Sequence, residues 1–269
     1  MTIRRVNHGN SHSYRDDTGA KWPGVTTLTG DGIPKKAIEK WAINETIDYA
    51  LDNWYELSKM KPSERRKKLL GARWEAVDRS RARGTKVHKL AERIVAGERV
   101  KIPEGLEGYV EGYVQFVNDF DVAPVLVEAV IVSHRRRYCG TLDLIADLLD
   151  PDDLDEEGRR QRWLLDLTTG KPGGGVFGEK ALQVVGYRYA DAVVAEDGSE
   201  SPVPEVERTG VVYISPTGTQ LVEVLATEVE YRKFLYAQQV ALMQDDLPQL
   251  VGEVVTPPPR SRTWRLEQA

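Results

Sequence analysis

Cysteine is nearly absent from this sequence and long apolar runs are absent altogether, which excludes several classes of protein. The single cysteine among 269 residues, Cys139, excludes a disulfide framework, a cysteine-rich zinc site and a four-cysteine iron–sulfur cluster. No apolar run approaches the roughly 18 residues that a membrane-spanning helix needs. Residues 1–8 lack the apolar core of a secretory signal. We therefore expect a soluble cytoplasmic protein with no membrane partner.

The net charge of −5 argues at first sight against a polyanionic partner, but the charge is unevenly distributed. Segment 61–101 contains 14 Lys and Arg against 5 Asp and Glu, which gives +9 and leaves −14 for the rest of the chain. Segment 147–157 holds seven acidic residues and no basic residue. Because electrostatic fields act locally, the basic segment could face a polyanion, although a solvated helix face explains its charge equally well.

The first half of the chain is predicted to be mainly helical. The hydrophobic content of 41% is sufficient for a packed core, which excludes a disordered chain. Residues 12–29 are predicted to form short strands around a turn at 16–19, with a β-prone run at 24–28. Apolar spacing and proline positions then predict three helices, at about 34–54, 62–96 and 104–120.

The second half is predicted to contain five strands and two helices. The strands are expected at 125–132, 138–148, 163–168, 210–215 and 220–225, and the helices at 179–194 and 228–243. The acidic segment 150–160 is predicted to be a loop. This order predicts an α/β fold, with a central mixed β-sheet flanked by helices and a helical N-terminal region. We divide the chain into an N-terminal region of strands and helices (1–83), a core (84–250) and a proline-rich tail (251–269), which is expected to be extended and mobile.

The first candidate motif lies in the long basic helix. Gly84, His88 and Glu92 are spaced by four residues, so they share one helix face. Glycine permits close backbone approach, and His88 can offer a ring nitrogen to a metal ion. A hydrogen-bonded or exposed histidine on an ordinary helix fits the same pattern. The second histidine of HExxH is missing, which argues against a zincin.

Two acidic residues lie within apolar strands. Asp143 stands between Leu142 and Leu144, which we expect on the opposite side of the sheet, and Asp166 lies in the strand at 163–168. Two buried carboxylates on neighbouring strands repel each other unless a divalent cation neutralises them. Oxygen ligands suit Mg²⁺ or Mn²⁺, and an added imidazole favours Mn²⁺. The alternative for Asp143 is a strand-edge acid that faces water.

Two further patterns follow. Gln183 and Tyr187 lie one turn apart on the next helix and could both contact a phosphate or an exposed base, although tyrosine at this spacing is more often part of a core. The Gly-Lys pair that ends in Lys171 is not a Walker A loop, because Leu165 occupies the place of the first glycine and Pro172 that of Ser or Thr.

In order, these motifs resemble the RecB-like branch of the PD-(D/E)XK nucleases. The resemblance covers about residues 84–187: a GxxxHxxxE helix, a GTxD strand, an acidic strand leading to Thr-Gly-Lys, and a QxxxY helix. With one cysteine, the chain is similar to the phage exonucleases that have no iron–sulfur cluster. The resemblance implies a restriction-endonuclease-like core and a deoxyribonuclease, and in particular an exonuclease of phage recombination, replication or repair, in the host cytoplasm. It also implies Mg²⁺ or Mn²⁺ as cofactor and DNA as partner.

The resemblance also implies roles for individual residues. The implied metal ligands are His88, Asp143, Asp166 and the carbonyl of Leu167. The implied catalytic residues are Asp143, Asp166, Lys171 and Glu128, the last matching an acid often present in the family. The implied substrate contacts are Gln183, Tyr187, Lys86 and Arg83.

One position departs from the family pattern. Thr168 stands where the family has a lysine that orients the attacking water and steadies the developing charge. Lys171, Lys86 or Lys180 could supply that ammonium from another position. A catalytically impaired DNA-binding or assembly protein on the same fold is therefore the second hypothesis, and an unrelated acidic α/β protein with coincidental motifs is the third. A homo-oligomer and a phage recombination partner stay open, as do polarity and the choice between exo- and endonuclease action.

Overall fold

A computed structural model of the chain describes residues 2–9, 11–34, 36–150, 152 and 158–256, without the side chains of 36–38. Most of the predicted acidic loop and the proline run at 257–259 lie outside the described residues. No helix in the described ranges is long and apolar enough to cross a membrane.

A small antiparallel sheet opens the chain. It consists of β1 (Arg4–His8), β2 (Ser11–Arg15) and β3 (Lys21–Trp22). The predicted turn after β2 is confirmed: Asp16 accepts hydrogen bonds from the backbone N–H groups of Thr18 and Ala20. Trp22 donates its indole N–H to the other oxygen of Asp16, which ties β3 to the turn. The buried side of this sheet packs against residues of three neighbouring strands in the larger sheet of the fold, among them Val132, Cys139 and Val194.

The β-prone run at 24–28 does not form a strand, and that prediction is wrong. The segment Val25–Gly32 is a helix, α1, and Gly24 precedes it in extended conformation. Val25 and Leu28 are fully buried in a cluster that includes Phe234. Burial of this helix face outweighs the β preference of Val and Thr, because intrinsic propensity is weaker than tertiary packing.

Four helices follow, three of them close to the predicted positions, whereas the short helix at 54–59 was not predicted. They are α2 (Lys36–Asp52), α3 (Trp54–Lys59), α4 (Pro62–Val95) and α5 (Glu107–Asp119). Helix α4 has 34 residues and runs without interruption through position 83/84, where the sequence suggested the start of the core. Pro62 stands in its first turn, where the missing N–H costs nothing.

The central sheet has seven strands. In chain order they are β4 (Ala123–Ser133), β5 (Tyr138–Leu149), β6 (Arg160–Thr169), β7 (Ala192–Val194), β8 (Glu200–Ser201), β9 (Arg208–Ser215) and β10 (Gly218–Glu223). Their spatial order is β10-β9-β6-β5-β4-β7-β8, and every pair is antiparallel except β6 with β9. The sheet is therefore mixed, as predicted.

Helices α6 (Glu179–Arg188) and α7 (Glu228–Asp246) complete the fold. The prediction of one helix over 179–194 is wrong, because the chain leaves the helix after Arg188 and residues 192–194 form β7. This Ala-Val-Val segment pairs with Val130, Ile131 and Val132 of β4 and so extends the sheet. β-branched residues fit such a paired, buried strand better than a helix end. Strand β8 was not predicted.

Helices cover both faces of the central sheet. One cluster unites α4 and α5 with β5, β6 and β9, and a second unites α1, α6 and α7 with the opposite face. The small N-terminal sheet lies on the face that carries α4, over β4 and β5. This confirms the predicted class, a central mixed sheet flanked by helices with helices in the N-terminal region.

Candidate metal and phosphodiester site

Helix α4 brings His88 to the end of β6 because Gly84 lets the two elements approach closely. A Cβ on Gly84 would lie 3.2 Å from the Thr169 hydroxyl oxygen. One turn later Val87 and Ala91 are buried, and they fix the rotation of the helix about its axis. His88 thereby faces Asp143 of β5, with its side chain 29% exposed.

The alternation of side chains between the two faces of the sheet is interrupted in β4 and β5, at positions that lie opposite each other. Leu142 belongs to the cluster on the α6 face and Leu144 to the cluster on the α4 face, so the prediction that both share one face is wrong. Val127 pairs with Leu144 and Ala129 with Leu142, which leaves Glu128 opposite Asp143. The alternation of faces breaks at these two acids.

The backbone at Glu128 lies in the left-handed region, with φ of 50°. Such a conformation is costly for a residue other than glycine, and it is typical of positions where function requires a particular side-chain direction. Here it turns a second carboxylate towards Asp143 and His88.

His88, Glu128 and Asp143 form a compact group of donor atoms. One ligand atom from each lies within 4.8 Å of the other two, and His88 Nδ1 is 3.9 Å from Asp143 Oδ1. The group lines a cavity of about 10 Å³, room for about one water molecule or ion. The other oxygen of Asp143 accepts a hydrogen bond of 2.6 Å from the Leu167 backbone N–H, which fixes the carboxylate.

The electrostatics of this group favour neutral side chains in the absence of a cation. Burial, and then the neighbouring Asp166, raise the pKa of Asp143 to about 7. Burial and Asp143 likewise raise the pKa of Glu128. Burial lowers the pKa of His88, although Asp166 opposes that shift, as does a hydrogen bond to the backbone of Leu167. Once both acids ionise, the group carries two negative charges that the cations Arg5 and Lys180 offset only in part, since the pKa values of both acids stay raised, and a divalent cation would neutralise them.

Asp166 has different partners from the other predicted ligands. Its carboxylate is 1% exposed, lies 2.7 Å from Lys180 Nζ and accepts a 2.6 Å hydrogen bond from the Gln183 amide. Burial opposes the charge of Lys180, but the Asp166 carboxylate outweighs it and raises the pKa of that ammonium. Helix α6 thus places Lys180 beside Asp166 of β6. Asp166 is also close enough to Asp143 to raise the pKa of that carboxyl group.

The predicted pair on α6 is in contact. The Gln183 amide donates to the Tyr187 hydroxyl at 2.9 Å, and Lys180 Nζ donates to Gln183 Oε1 at 3.2 Å. Tyr187 is only 2% exposed and packs over Gly140, where a Cβ would lie 2.7 Å from the ring. In this structure Tyr187 therefore orients Gln183 and Asp166 from the protein interior.

The remaining predicted residues lie further out. Lys171 is 75% exposed on its side chain, with Nζ 3.7 Å from Glu45 of α2. Lys86 is exposed on α4. Arg83 is half-buried, with its guanidinium 5.7 Å from the centre of the Tyr109 ring and one nitrogen 3.4 Å from the Ser80 hydroxyl.

The N-terminal sheet contributes residues that sequence reasoning missed. Arg5 approaches both Glu128 Oε2 and the Thr141 hydroxyl at 3.4 Å, and Tyr14 shares a 2.8 Å hydrogen bond with that hydroxyl. His12 lies 3.1 Å from the Tyr14 hydroxyl. Thr141 belongs to the GTxD motif and gave a signal, whereas nothing in the local sequence marks Arg5, which lies 123 residues from Glu128.

Comparison with known proteins adds little to this geometry. No protein-family model and no curated protein matches the chain. Among solved structures, the crystal structure of SSO0001 is similar at 14% identity, over 89% of this chain and 78% of that one, with a TM-score of 0.34. A TM-score of this size carries no conclusion about fold or function.

Proposed function

We propose that the protein is a divalent-metal-dependent deoxyribonuclease that hydrolyses phosphodiester bonds, with exonuclease action as the leading expectation. One observation carries the proposal: an imidazole and two carboxylates line one small cavity, and a buried acid–lysine pair on the neighbouring elements acts electrostatically on two of them, Asp143 and His88. These side chains come from α4, β5, β6 and α6, which carry the motifs of the resemblance, and from β4, the strand before β5. A structural ion-pair network would not need the strained Glu128 backbone or two acids with raised pKa values.

The donor set fits Mg²⁺ or Mn²⁺. His88, Glu128 and Asp143 would hold the ion, with Asp166 and the Leu167 carbonyl beside them. Two carboxylates suit either ion, and the imidazole favours Mn²⁺. When bound, the ion would polarise a phosphodiester oxygen and lower the pKa of a coordinated water.

In this proposal Lys180 supplies the ammonium group that is missing at position 168, where Thr168 replaces the lysine of the family pattern. Its ammonium stays charged beside Asp166 and lies 26% exposed, so it reaches the edge of the site. From there it would donate hydrogen bonds to a phosphate oxygen or to the attacking water as negative charge develops. Gln183 holds Asp166 from the other side and keeps this pair in position.

DNA is the substrate that the charge distribution favours. The site lies on α4, whose segment 61–101 carries a net charge of +9, and the exposed Lys86 and Lys89 flank His88 in sequence. Contacts between such side chains and phosphates provide affinity without reading the sequence.

The experiment is a cleavage assay on linear DNA with Mn²⁺ or Mg²⁺. We expect Asp143→Asn, Asp166→Asn and Lys180→Met each to reduce the rate by about 100-fold or more. Lys171→Met is the matched control, since this lysine pairs with Glu45, and it should retain activity within about threefold of the wild type. DNA loss that survives both Asp143→Asn and Asp166→Asn would show that this site is not the source of activity.

A second function is supported by two features: Thr168 replaces the lysine of the family pattern, and Lys180 is already paired with Asp166 at 2.7 Å. In this alternative the protein binds DNA and a metal ion but does not cleave. It predicts salt-sensitive DNA binding with no product at any metal concentration. Thr168→Lys would then be decisive, because gain of cleavage in that variant identifies a silenced nuclease site.

A further inference from the structure

Helix α7 has two faces of opposite character. Its buried face packs against α1 and α6 through Tyr231, Phe234, Ala237, Gln238 and Ala241. The contact with α1 is close, since a Cβ on Gly32 would lie 2.0 Å from the Ala237 carbonyl oxygen. The rotation of α7 is therefore fixed, and its opposite face points away from the core.

That opposite face is apolar and exposed. Four side chains on α7 and Leu247 directly after it form one stripe at spacings of seven, four, three and four residues, and they are 54%, 71%, 41%, 46% and 41% exposed: Val229, Tyr236, Val240, Met243 and Leu247. Lys233 interrupts the stripe four residues after Val229, and its ammonium lies 3.2 Å from a Glu230 carboxylate oxygen on the same helix. The stripe is about 27 Å long at 1.5 Å per residue. An apolar strip of this kind on a folded chain is typical of an interaction surface.

One edge of the stripe carries a self-complementary pattern of charges. Arg232, Gln239 and Asp246 are spaced by seven residues, so they follow one edge of the stripe, with a cation at one end and an anion at the other. All three are exposed. When a second copy of the helix lies antiparallel to the first, the Arg232 end of one helix faces the Asp246 end of the other, and the two Gln239 side chains meet in the middle.

We propose that the stripe is a twofold interface between two copies of this chain, with the α7 helices antiparallel and the axis near Gln239 and Val240. Tyr236 then meets Met243 of the partner subunit, and Val240 lies beside Val240 of the partner subunit at the axis. Arg232 pairs with Asp246 of the partner subunit. A twofold interface requires one patch to complement itself, and this charge pattern meets that requirement.

The interface is independent of the proposed nuclease site. Helix α7 packs on the sheet face opposite to α4, so pairing of α7 leaves His88 and the basic surface of α4 accessible. The dimer would therefore carry two sites on its outer sides. Whether DNA is cleaved does not enter the test.

The first test is sedimentation equilibrium of the full chain from about 1 to 200 µM. We expect the wild type to dimerise in this range, and Val240→Glu, which places two carboxylates at the axis, to raise the dissociation constant at least tenfold. Ile43→Glu on α2, 61% exposed in the wild type, is the matched control and should dimerise like the wild type. Thermal unfolding of each variant checks that it is folded.

Charge exchange identifies the pairing. Arg232→Asp and Asp246→Arg should each weaken the dimer, and the double variant Arg232→Asp with Asp246→Arg should restore it. A wild type that stays monomeric at 200 µM overturns the proposal, and so does a dimer that Val240→Glu does not weaken or that the double variant does not restore. These outcomes would indicate that another partner, or the C-terminal segment of the same chain, covers the stripe.

Crosslinking tests the axis directly. The native Cys139 is buried, so an introduced thiol is the reactive one. Gln239→Cys should form a disulfide-linked dimer under mild oxidation, whereas Asp245→Cys, exposed six residues later on another side of α7, should not. Equal crosslinking of the two variants would contradict the antiparallel arrangement.

Discussion

At the scale of single residues, the site is defined by charges that the fold holds in unfavourable surroundings. Asp143 is enclosed between two other acids, Glu128 on β4 and Asp166 on β6. Only Asp166 has a close lysine, and Glu128 has the more distant Arg5. The cost of ionising Asp143 is the property that makes a divalent cation favourable there.

This cost should appear in the pH dependence of stability. The pKa of Asp143 is about 7 in the folded protein and near 3.8 when unfolded, so only the folded state keeps its proton between these values. Stability contributed by this group therefore falls as pH rises from about 4 to about 7 and is constant above. We expect Asp143→Asn to be more stable than the wild type by about 2–4 kcal/mol at pH 8, and by clearly less at pH 5.

Denaturant unfolding with a metal chelator present measures both differences. The Asn side chain keeps an oxygen for the Leu167 N–H, so the variant preserves that hydrogen bond. A stability difference that is the same at pH 5 and pH 8 would contradict the raised pKa.

The effects of substituting Asp166 and Lys180 on the free energy of unfolding should be strongly coupled. Lys180→Met leaves Asp166 buried without its cation, and we expect a loss of about 3–5 kcal/mol in the free energy of unfolding. Adding Asp166→Asn removes the uncompensated charge and should recover more than half of the loss. Unfolding of the two single variants and the double variant gives the coupling directly. Additive effects would show that the pair is not coupled.

At the scale of elements, two close approaches explain the glycines of the motifs. Gly84 brings α4 next to Thr169 at the end of β6, and Gly140 leaves room on β5 for the ring of Tyr187 on α6. These contacts set the positions of His88 and Gln183 relative to the acids. The glycines therefore act through the packing of helices on the sheet.

A pair of glycine substitutions tests this account. Gly140→Ala places a Cβ 2.7 Å from the buried Tyr187 ring and should destabilise the protein by about 1–3 kcal/mol. Gly71→Ala on α4 is the control, because nothing lies within 4 Å of its Cβ, and it should stabilise by about 0.5–1 kcal/mol. Thermal or denaturant unfolding measures both changes. Equal effects of the same sign would contradict the close packing at Gly140.

At the scale of the whole molecule, the N-terminal sheet is part of the site wall. It lies beside α4 on the same face of the central sheet, and through Arg5 it supplies a cation to Glu128. The division at residue 83/84 suggested by sequence is crossed by an unbroken helix. N-terminal region and core thus build the site together.

Arg5 should compete with a metal ion for Glu128. Arg5→Gln removes that competing charge, and we expect the affinity for Mn²⁺, measured by calorimetry without DNA, to rise about three- to tenfold. Arg4→Gln, on the exposed neighbouring residue, is the control and should leave the affinity unchanged. A lower Mn²⁺ affinity in Arg5→Gln would instead assign Arg5 a role in holding Glu128 in position.

Local sequence patterns alone were sufficient to predict the order of most elements and the chemical types of the side chains in the site. Apolar periodicity and turn residues located most elements, from the long α4 to the β4–β5 hairpin, and marked His88, Asp143 and Asp166. These patterns failed at 24–28 and 192–194, where burial in one case and strand pairing in the other overrode local preference. The folded arrangement was needed to show that Lys180, not Lys171, contacts Asp166, and that Arg5 joins the site. It also places Glu128, for which the family resemblance implied a catalytic role, beside His88 and Asp143. The reason is physical: these contacts depend on a break in strand alternation and on the packing of elements distant in sequence, which no local pattern records.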